Sequence, residues 1–391
     1  MDTMVDMDNR RLAFRSCVFA ICVVMVWGGA VLGDQGEQNA AKKLPEPLKM
    51  NSGRRVKSAD AWPKRREQII DMLVRIQYGH IPPAPGNVAV DTEQAPDTTG
   101  DGVAVHRAVM LKFGPHQSLK MGVDLYMPRD GAGPWPVVLH VGADEKAIAQ
   151  IVGRGYAYAC YDQHALDPDP GEGKDVVGAA QTAYPKYDWG SIGVWAWGAS
   201  RALDYLLTVP ELNRDQIIVT GHSRRGKTAL LAGALDERFA MVVPNGSGCG
   251  GAGCYRVLGP NSETLKLITL PKRFKSWFQE DFGRYADRED ELPFDQHFVK
   301  ALVAPRLLLS TDALGDLWAN PLGTQATYLA AQPVFDLLGA PGNNALSFRE
   351  GGHEQNEEDY AALLDFADLH FRGKATARPF DKLPFPNEAA R

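Results

Sequence analysis

The sequence predicts an α/β fold with a mostly parallel central sheet and helices on both faces, on three observations. Apolar runs of strand length alternate with segments of helical period from residue 103 to residue 371, the pattern of a parallel sheet buried on both sides. The apolar run Ile217-Ile218-Val219 enters Thr220-Gly221-His222-Ser223-Arg224-Arg225-Gly226-Lys227 and then an alanine-rich segment from Thr228, which reads as strand, tight turn and helix. Finally, a serine, a pair of acids and a histidine occur in that chain order, each just beyond its own strand.

Taken in order, residues 1–33 stand apart. Arg10, Arg11 and Arg15 precede an apolar run from Cys17 to Leu32, and Gly33-Asp34 follows small residues. This is the layout of a secretory signal. The run falls short of the roughly 20 apolar residues that span a bilayer, so cleavage near Asp34 is expected over an uncleaved anchor. The mature chain would then be secreted or periplasmic, with no stable membrane association. Residues 34–60 are polar and carry Lys-Lys and proline-rich pieces, the composition of a disordered linker. One domain is expected over 61–374, because α/β folds of this length often form a single unit, with the proline-rich 375–391 as a loose tail.

Within that domain, Ile69, Ile70, Leu73, Val74 and Ile76 recur at helical spacing between Trp62 and Tyr78, and Pro82-Pro83 ends the element. Residues 103–113 and 119–127 alternate as a strand pair around Gly114-Pro115. Residues 135–141 and 156–161 read as buried strands, and Ile192 to Leu207 as a helix with Trp195, Trp197, Leu203 and Leu206 inward. Past Ser223 follow a strand over 239–243, a Gly/Ser-rich loop and an irregular insert over 255–303. The chain closes with a strand at 306–310, a helix at 323–338, a strand at 345–348 and a helix at 357–371.

Composition narrows the function. A hydrophobic content of 45% with 39 glycines fits a globular, loop-rich protein, and a net charge of −6 argues against a nucleic-acid partner. After cleavage only Cys160, Cys249 and Cys254 remain, too few for a disulfide scaffold, although a local bridge between Cys249 and Cys254 stays open. No Cys/His set has metal-ligand spacing and no His-Glu-x-x-His frame occurs, so neither a metal nor a cofactor is expected.

In a parallel sheet, chemistry collects beyond the carboxyl ends of the strands. Three such loops matter: the turn at Ser223, the loop Thr311-Asp312-Ala313-Leu314-Gly315-Asp316-Leu317-Trp318, and Arg349-Glu350-Gly351-Gly352-His353-Glu354. The order serine, acid, histidine is that of the α/β-hydrolases. A serine needs an imidazole to take its proton and a carboxylate to hold the imidazole in the right tautomer. Ser223 is therefore the candidate nucleophile, against a serine that merely caps a helix, and His353 the candidate base, against a solvent-facing loop histidine. Arg224 offers a backbone N–H and a fixed charge to a developing oxyanion; pairing with a surface carboxylate is the competing reading.

Gly221-x-Ser223-Arg224-x-Gly226-Lys227, followed by Ser247-Gly-Cys-Gly-Gly251, resembles the glucuronoyl esterases of carbohydrate esterase family 15. The resemblance continues through Trp277-Phe278, Tyr285-x-Asp287-Arg288-Glu289-Asp290, Leu292-Pro293-x-Asp295-Gln296-His297, Ala304-Pro305-Arg306, Asp316-x-Trp318-Ala319-Asn320-Pro321 and Gly352-His353, over most of residues 62–372. It implies an α/β-hydrolase fold and a secreted, metal-independent serine esterase. The substrate implied is the ester between 4-O-methyl-glucuronic acid on plant cell wall glucuronoxylan, or a related uronate-containing polysaccharide, and an alcohol. It makes Ser223 the nucleophile, His353 the base and Arg224 the oxyanion-stabilising side chain, with Lys227, Glu263 and Trp318 contacting the uronoyl sugar. A monomer is expected. For Trp318 a core position is the competing reading.

The departures from the family pattern are specific. Many members carry Glu or Asp where this chain has Gly246, between Asn245 and Ser247, so the triad acid must come from elsewhere or be missing. Some bacterial members place an Asp before the tryptophan, and Asp316 matches that position; Asp312 is the runner-up. No carboxylate is then expected near Gly246. His222 and Gln279 stand where relatives often have cysteines, which removes one disulfide, and the segment around Glu263 is altered. Beside the glucuronoyl esterase, an acetyl-xylan or other carboxylic esterase and a non-catalytic carbohydrate-binding relative stay open, because fold does not fix substrate.

Overall fold

The computed structural model describes residues 44–99, 102–169, 177–270, 274 and 276–386. The signal expected over 1–33 lies outside the described residues. Among them the strands are β1 (Ala89–Glu93), β2 (Asp97–Thr99), β3 (Ala104–Phe113), β4 (Leu119–Pro128), β5 (Trp135–Val141), β6 (Ala157–Tyr161), β7 (Leu212–His222), β8 (Met241–Asn245), β9 (Leu307–Ala313) and β10 (Asn344–Arg349). The helices are α1 (Trp62–Leu73), α2 (Glu145–Gly153), α3 (Ala179–Ala183), α4 (Ser191–Leu206), α5 (Arg224–Leu235), α6 (Leu265–Ile268), α7 (His297–Ala301), α8 (Pro321–Leu337) and α9 (Glu357–Arg372).

The strands form one sheet in the order β1-β3-β4-β6-β5-β7-β8-β9-β10, with β2 on β3. Strands β1 to β4 pair antiparallel, and β4 meets β6 antiparallel. From β6 through β5, β7, β8 and β9 to β10 every pairing is parallel. Alternation along β7 sorts its side chains: Ile217 and Val219 pack with Trp195, Leu203 and Leu230 of α4 and α5, whereas Ile218 packs with Ile151 of α2 and Leu363 of α9. Both faces are thus covered, as the continuous apolar strands predict.

Several boundaries differ from the sequence reading. Strand β9 runs three residues past the expected end at Ser310, so Thr311 and Asp312 lie inside the sheet and not in a loop. Their polar side chains end a hydrophobic run in the sequence, but Thr311 Oγ1 accepts a hydrogen bond from Asn245 Nδ2 at 2.9 Å. The helix after the serine starts at Arg224, without an intervening turn up to Thr228. The insert over 255–303 contains α6, α7 and two one-turn helices at Glu280–Tyr285 and Glu289–Glu291.

The two segments expected to be loose are packed where they are described. In 44–60, Leu48, Met50 and Val56 are buried, and the backbone at Pro47 and Pro45 accepts hydrogen bonds from Arg65 Nε (2.8 Å) and His297 Nε2 (2.7 Å). In the tail, Phe380 O accepts from Leu346 N at 2.8 Å, and the Phe385 backbone pairs with the Gln325 side chain at 2.8 and 3.0 Å. A few apolar anchors in a polar stretch suffice when the backbone groups around them find partners.

Candidate active site

Strand β7 ends at His222, and Ser223 follows with φ 58° and ψ −124°, a backbone region that costs a non-glycine residue about 1–3 kcal/mol. Neighbouring elements hold it there: Ser223 N donates to Asn245 O of β8 at 2.9 Å, and α5 begins at once with Lys227 N donating to Ser223 O at 3.0 Å. The second glycine of the motif falls one residue late for a close packing reason. A Cβ at Gly226 would come within 2.7 Å of Asn245 O and 2.8 Å of Gly221 O, so α5 can lie against β7 and β8 only with glycine there.

The candidate base and acid arrive from beyond the ends of β10 and β9. Ser223 Oγ donates to His353 Nε2 at 3.0 Å, and His353 Nδ1 donates to Asp316 Oδ2 at 2.6 Å. Asp316 Oδ1 accepts from Ala319 N at 3.2 Å, so both its oxygens are engaged. The loop carrying His353 is wrapped by buried Arg349, whose Nη2 donates to Glu354 O at 2.6 Å and whose Nε binds Asp359 of α9 at 2.8 Å. Asp312 takes no part. It is buried inside β9, where burial pushes its carboxyl up to about 7, while nearby Lys300 is pushed down to about 7 by the same cause.

Position 246 borders the candidate acid. Gly246 has φ 47°, and a Cβ there would lie 3.6 Å from Asp316 Oδ2. The expectation that no carboxylate comes near Gly246 is therefore corrected: Asp316 reaches from β9 into the space that a side chain at 246 would enter. The same Cβ would meet the His222 ring at 3.0 Å. That ring lies 4.5 Å from the His353 ring, centre to centre, and its Nδ1 donates to Asn245 Oδ1 at 2.7 Å. Burial holds the His222 pKa down to about 4, so a neutral ring packs beside the His353 imidazole.

Around this line sit the other sequence-predicted residues. Lys227 is buried and donates to Glu263 Oε2 and to Ser247 O, both at 2.7 Å, and its ammonium lies 5.7 Å from the centre of the Trp277 ring. Arg224 lies over the same ring at 5.1 Å and also pairs with Asp169. Trp318 is half-buried, and its backbone O accepts from Glu263 N at 2.9 Å, which ties it to the lysine pair. Cys249 and Cys254 are buried free thiols with no bridge between them, and Cys254 Sγ donates to Asp295 Oδ2 at 3.3 Å.

The sequence reading missed four supports. His140 of β5 donates through Nδ1 to Gly142 O at 2.7 Å and meets Gln355 at 3.1 Å, which joins the loop after β5 to the loop of the base. Asp169 and Trp277 frame Arg224. Trp277 stands in the Trp277-Phe278 motif without a role assigned to it, Gln355 and Asp169 carry no local signal, and only the run of buried strand residues up to His140 hinted that a polar side chain there needs partners. Chemically, the assembly offers an activated hydroxyl, an oriented base and a permanent cation at one cleft, which suits attack on an ester carbonyl. Among the described residues no group of three or more His, Cys, Asp or Glu is placed to hold a metal ion, and no helix is long and apolar enough to cross a membrane.

Comparison with known proteins agrees with this geometry. The family described as glucuronyl esterase, fungi, matches residues 114–339. The chain is 31% identical to the carbohydrate esterase MZ0003 of an unknown prokaryotic organism, over 85% of this chain and 90% of that protein. It is 30% identical to a 4-O-methyl-glucuronoyl methylesterase of Schizophyllum commune, over 81% of this chain and 78% of the relative. Its fold matches that of a carbohydrate esterase family 15 glucuronoyl esterase from Caldicellulosiruptor kristjansonii with a TM-score of 0.77 at 30% identity, covering 88% of this chain and 94% of the other. The chain belongs to the glucuronoyl esterases of carbohydrate esterase family 15, carboxylic-ester hydrolases on an α/β-hydrolase fold.

Proposed function

We propose that this protein is an exported serine esterase that cleaves 4-O-methyl-glucuronoyl esters of plant cell wall glucuronoxylan or a related polysaccharide. The observation that carries the reading is the hydrogen-bonded line from Ser223 through His353 to Asp316 beside the Arg224 guanidinium. Ser223 Oγ attacks the uronoyl carbonyl while His353 Nε2 takes its proton, and Asp316 stabilises the imidazolium. The oxyanion forms at the Arg224 backbone N–H and side chain. His353 then protonates the leaving alcohol, and water attacks the uronoyl–Ser223 ester by the reverse sequence. Lys227, Glu263 and Trp318 receive the sugar: the buried Lys227–Glu263 pair offers a donor and an acceptor to adjacent hydroxyls, and Trp318 a flat face with an indole N–H.

Asp316 supports the catalytic reading over a carbohydrate-binding relative without an acid. The buried polar pair supports a hydroxylated acyl group over acetyl, which needs only a small apolar pocket. The packed segments 44–60 and 375–386 support a catalytic unit somewhat longer at both ends than 61–374, and we read that unit as a monomer. The test compares benzyl glucuronate with p-nitrophenyl acetate. The expected outcome is a kcat/KM at least about tenfold higher on the glucuronate ester, abolished by Ser223→Ala with the fold intact. A preference for the acetate, or Ser223→Ala turnover within tenfold of the parent, sinks the proposal.

A further inference from the structure

The Arg224 guanidinium leaves the elbow toward the loop after β6, where its Nη1 donates to Asp169 Oδ2. The partners differ in exposure: the Asp169 side chain keeps 8% of its surface and Arg224 keeps 42%. Asp169 is thus the anchored member, and the arginine keeps the rest of its fork partly exposed, with one face on Trp277. Among the described residues Asp169 is the one carboxylate bonded to Arg224. No step assigned to the site above uses it.

Hydrolysis changes the charge of what this cation faces. The ester is neutral at its carbonyl. In deacylation a water oxygen bonds to the acyl carbon, the bond from that carbon to Ser223 Oγ breaks, and Oγ recovers a proton through His353. The released uronic acid then gives its own proton to solvent at neutral pH. An anion is left beside an arginine, and bidentate arginine–carboxylate pairs are among the strongest hydrogen-bonded pairs. A lone guanidinium at this place would hold the product.

We propose that Asp169 is a positioning residue and internal counter-ion that keeps Arg224 available to the oxyanion but closes its fork to the product carboxylate. The oxyanion is a single oxygen and needs one free N–H edge beside the elbow amide. A carboxylate seeks two parallel N–H groups, and Asp169 already occupies Nη1. The pair is also close to neutral as a whole, so it exerts little long-range attraction on the departing uronate. The inference rests on reading Arg224 as the cation beside the reacting carbonyl.

The experiment separates charge from shape. In a Ser223→Ala background, which binds without turnover, calorimetry gives Kd for methyl glucuronate and for glucuronate. Asp169→Asn is expected to tighten glucuronate about fivefold, leaving methyl glucuronate within twofold, and the active Asp169→Asn enzyme to show stronger inhibition by glucuronate. Asp169→Glu is expected to stay near the parent. Asp169→Ser repeats the measurement where asparagine is not tolerated. In an Arg224→Gln background the Asp169 effect is expected to vanish. An unchanged glucuronate-to-ester ratio, or parallel weakening of both ligands, overturns the proposal and makes Asp169 a structural partner only. If Arg224→Gln leaves ester turnover and glucuronate affinity intact, the reading of Arg224 falls as well, whatever Asp169 does.

Discussion

At the scale of single residues, Asp316 is the position on which the proposed chemistry turns. Its Oδ1 is engaged by Ala319 N and its Oδ2 by His353 Nδ1, so the carboxylate is fixed in the tautomer-setting pose. Asp316→Asn is expected to lower kcat by about 10³–10⁴-fold on benzyl glucuronate with little change in KM, since an amide permits the wrong tautomer. Asp312→Asn is expected to stay within tenfold, because Asp312 is buried inside β9 and does not touch His353. Steady-state rates decide, and equal losses in the two variants would remove Asp316 from the triad. Restoring an acid at 246 is constrained by φ 47° and by the His222 ring 3.0 Å from the added Cβ. In the Asp316→Asn background, Gly246→Glu is therefore expected to recover rate only when combined with a smaller residue such as His222→Cys. That Ser223, His353 and Asp316 meet in one hydrogen-bonded line was legible because each follows a strand in an ordered motif. Asp169 was not, since its partner lies 55 residues away and an Asp in a polar loop looks like any other.

The elements were legible in kind and less so at their edges. Short continuous apolar runs located the parallel strands, yet β9 continues through Thr311, which Asn245 of β8 binds, and Asp312, whose buried carboxyl lies near Lys300 of α7. Helix α2 escaped the sequence reading because its nine residues make only about two and a half turns, although Ala147, Ile148, Ile151 and Val152 recur at helical spacing and Asp144 caps it by accepting from Lys146 N at 3.3 Å. The element most exposed to a single change is the loop of the base. Arg349 and Asp359 form an ion pair with 3% of each side chain exposed, and the remaining Arg349 donors bind the carbonyls of Glu350 and Glu354. Removing one partner of such a pair strands the other charge, at a cost of about 3–5 kcal/mol. Arg349→Met is expected to lower stability by about that amount in urea unfolding and to lower kcat more than it changes KM, because His353 loses its frame. A variant of unchanged stability would mean that the loop holds itself.

For the molecule as a whole, the hydrolase core was legible and its ends were not. Composition marks 44–60 and 375–386 as loose, but isolated apolar anchors and backbone pairs fasten them, and an anchor of one residue leaves no periodic trace. Helix α9 shows how the far face is held. Asp368 accepts from Arg154 (2.8 Å), Tyr156 (2.7 Å), Arg372 (2.9 Å) and Lys374 (3.1 Å), and so ties the end of α9 to the end of α2 and the start of β6. Burial alone would raise its pKa, but the hydrogen bonds from Arg154, Tyr156 and Lys374 outweigh burial and bring it down to about 2. A carboxylate whose folded pKa lies below its unfolded value of 3.8 contributes stability that is complete above that value and is lost as pH falls toward the folded pKa. Because Arg154 and Lys374 are partly exposed, solvent screening reduces that contribution to about 1–2 kcal/mol. Asp368→Asn is therefore expected to be less stable than the parent by this amount at pH 7 and pH 5, with the gap closing between about pH 4 and pH 2. Urea unfolding of both proteins across that range measures the gap directly. A gap that persists unchanged at pH 2 would assign the loss to packing and not to the charge of Asp368.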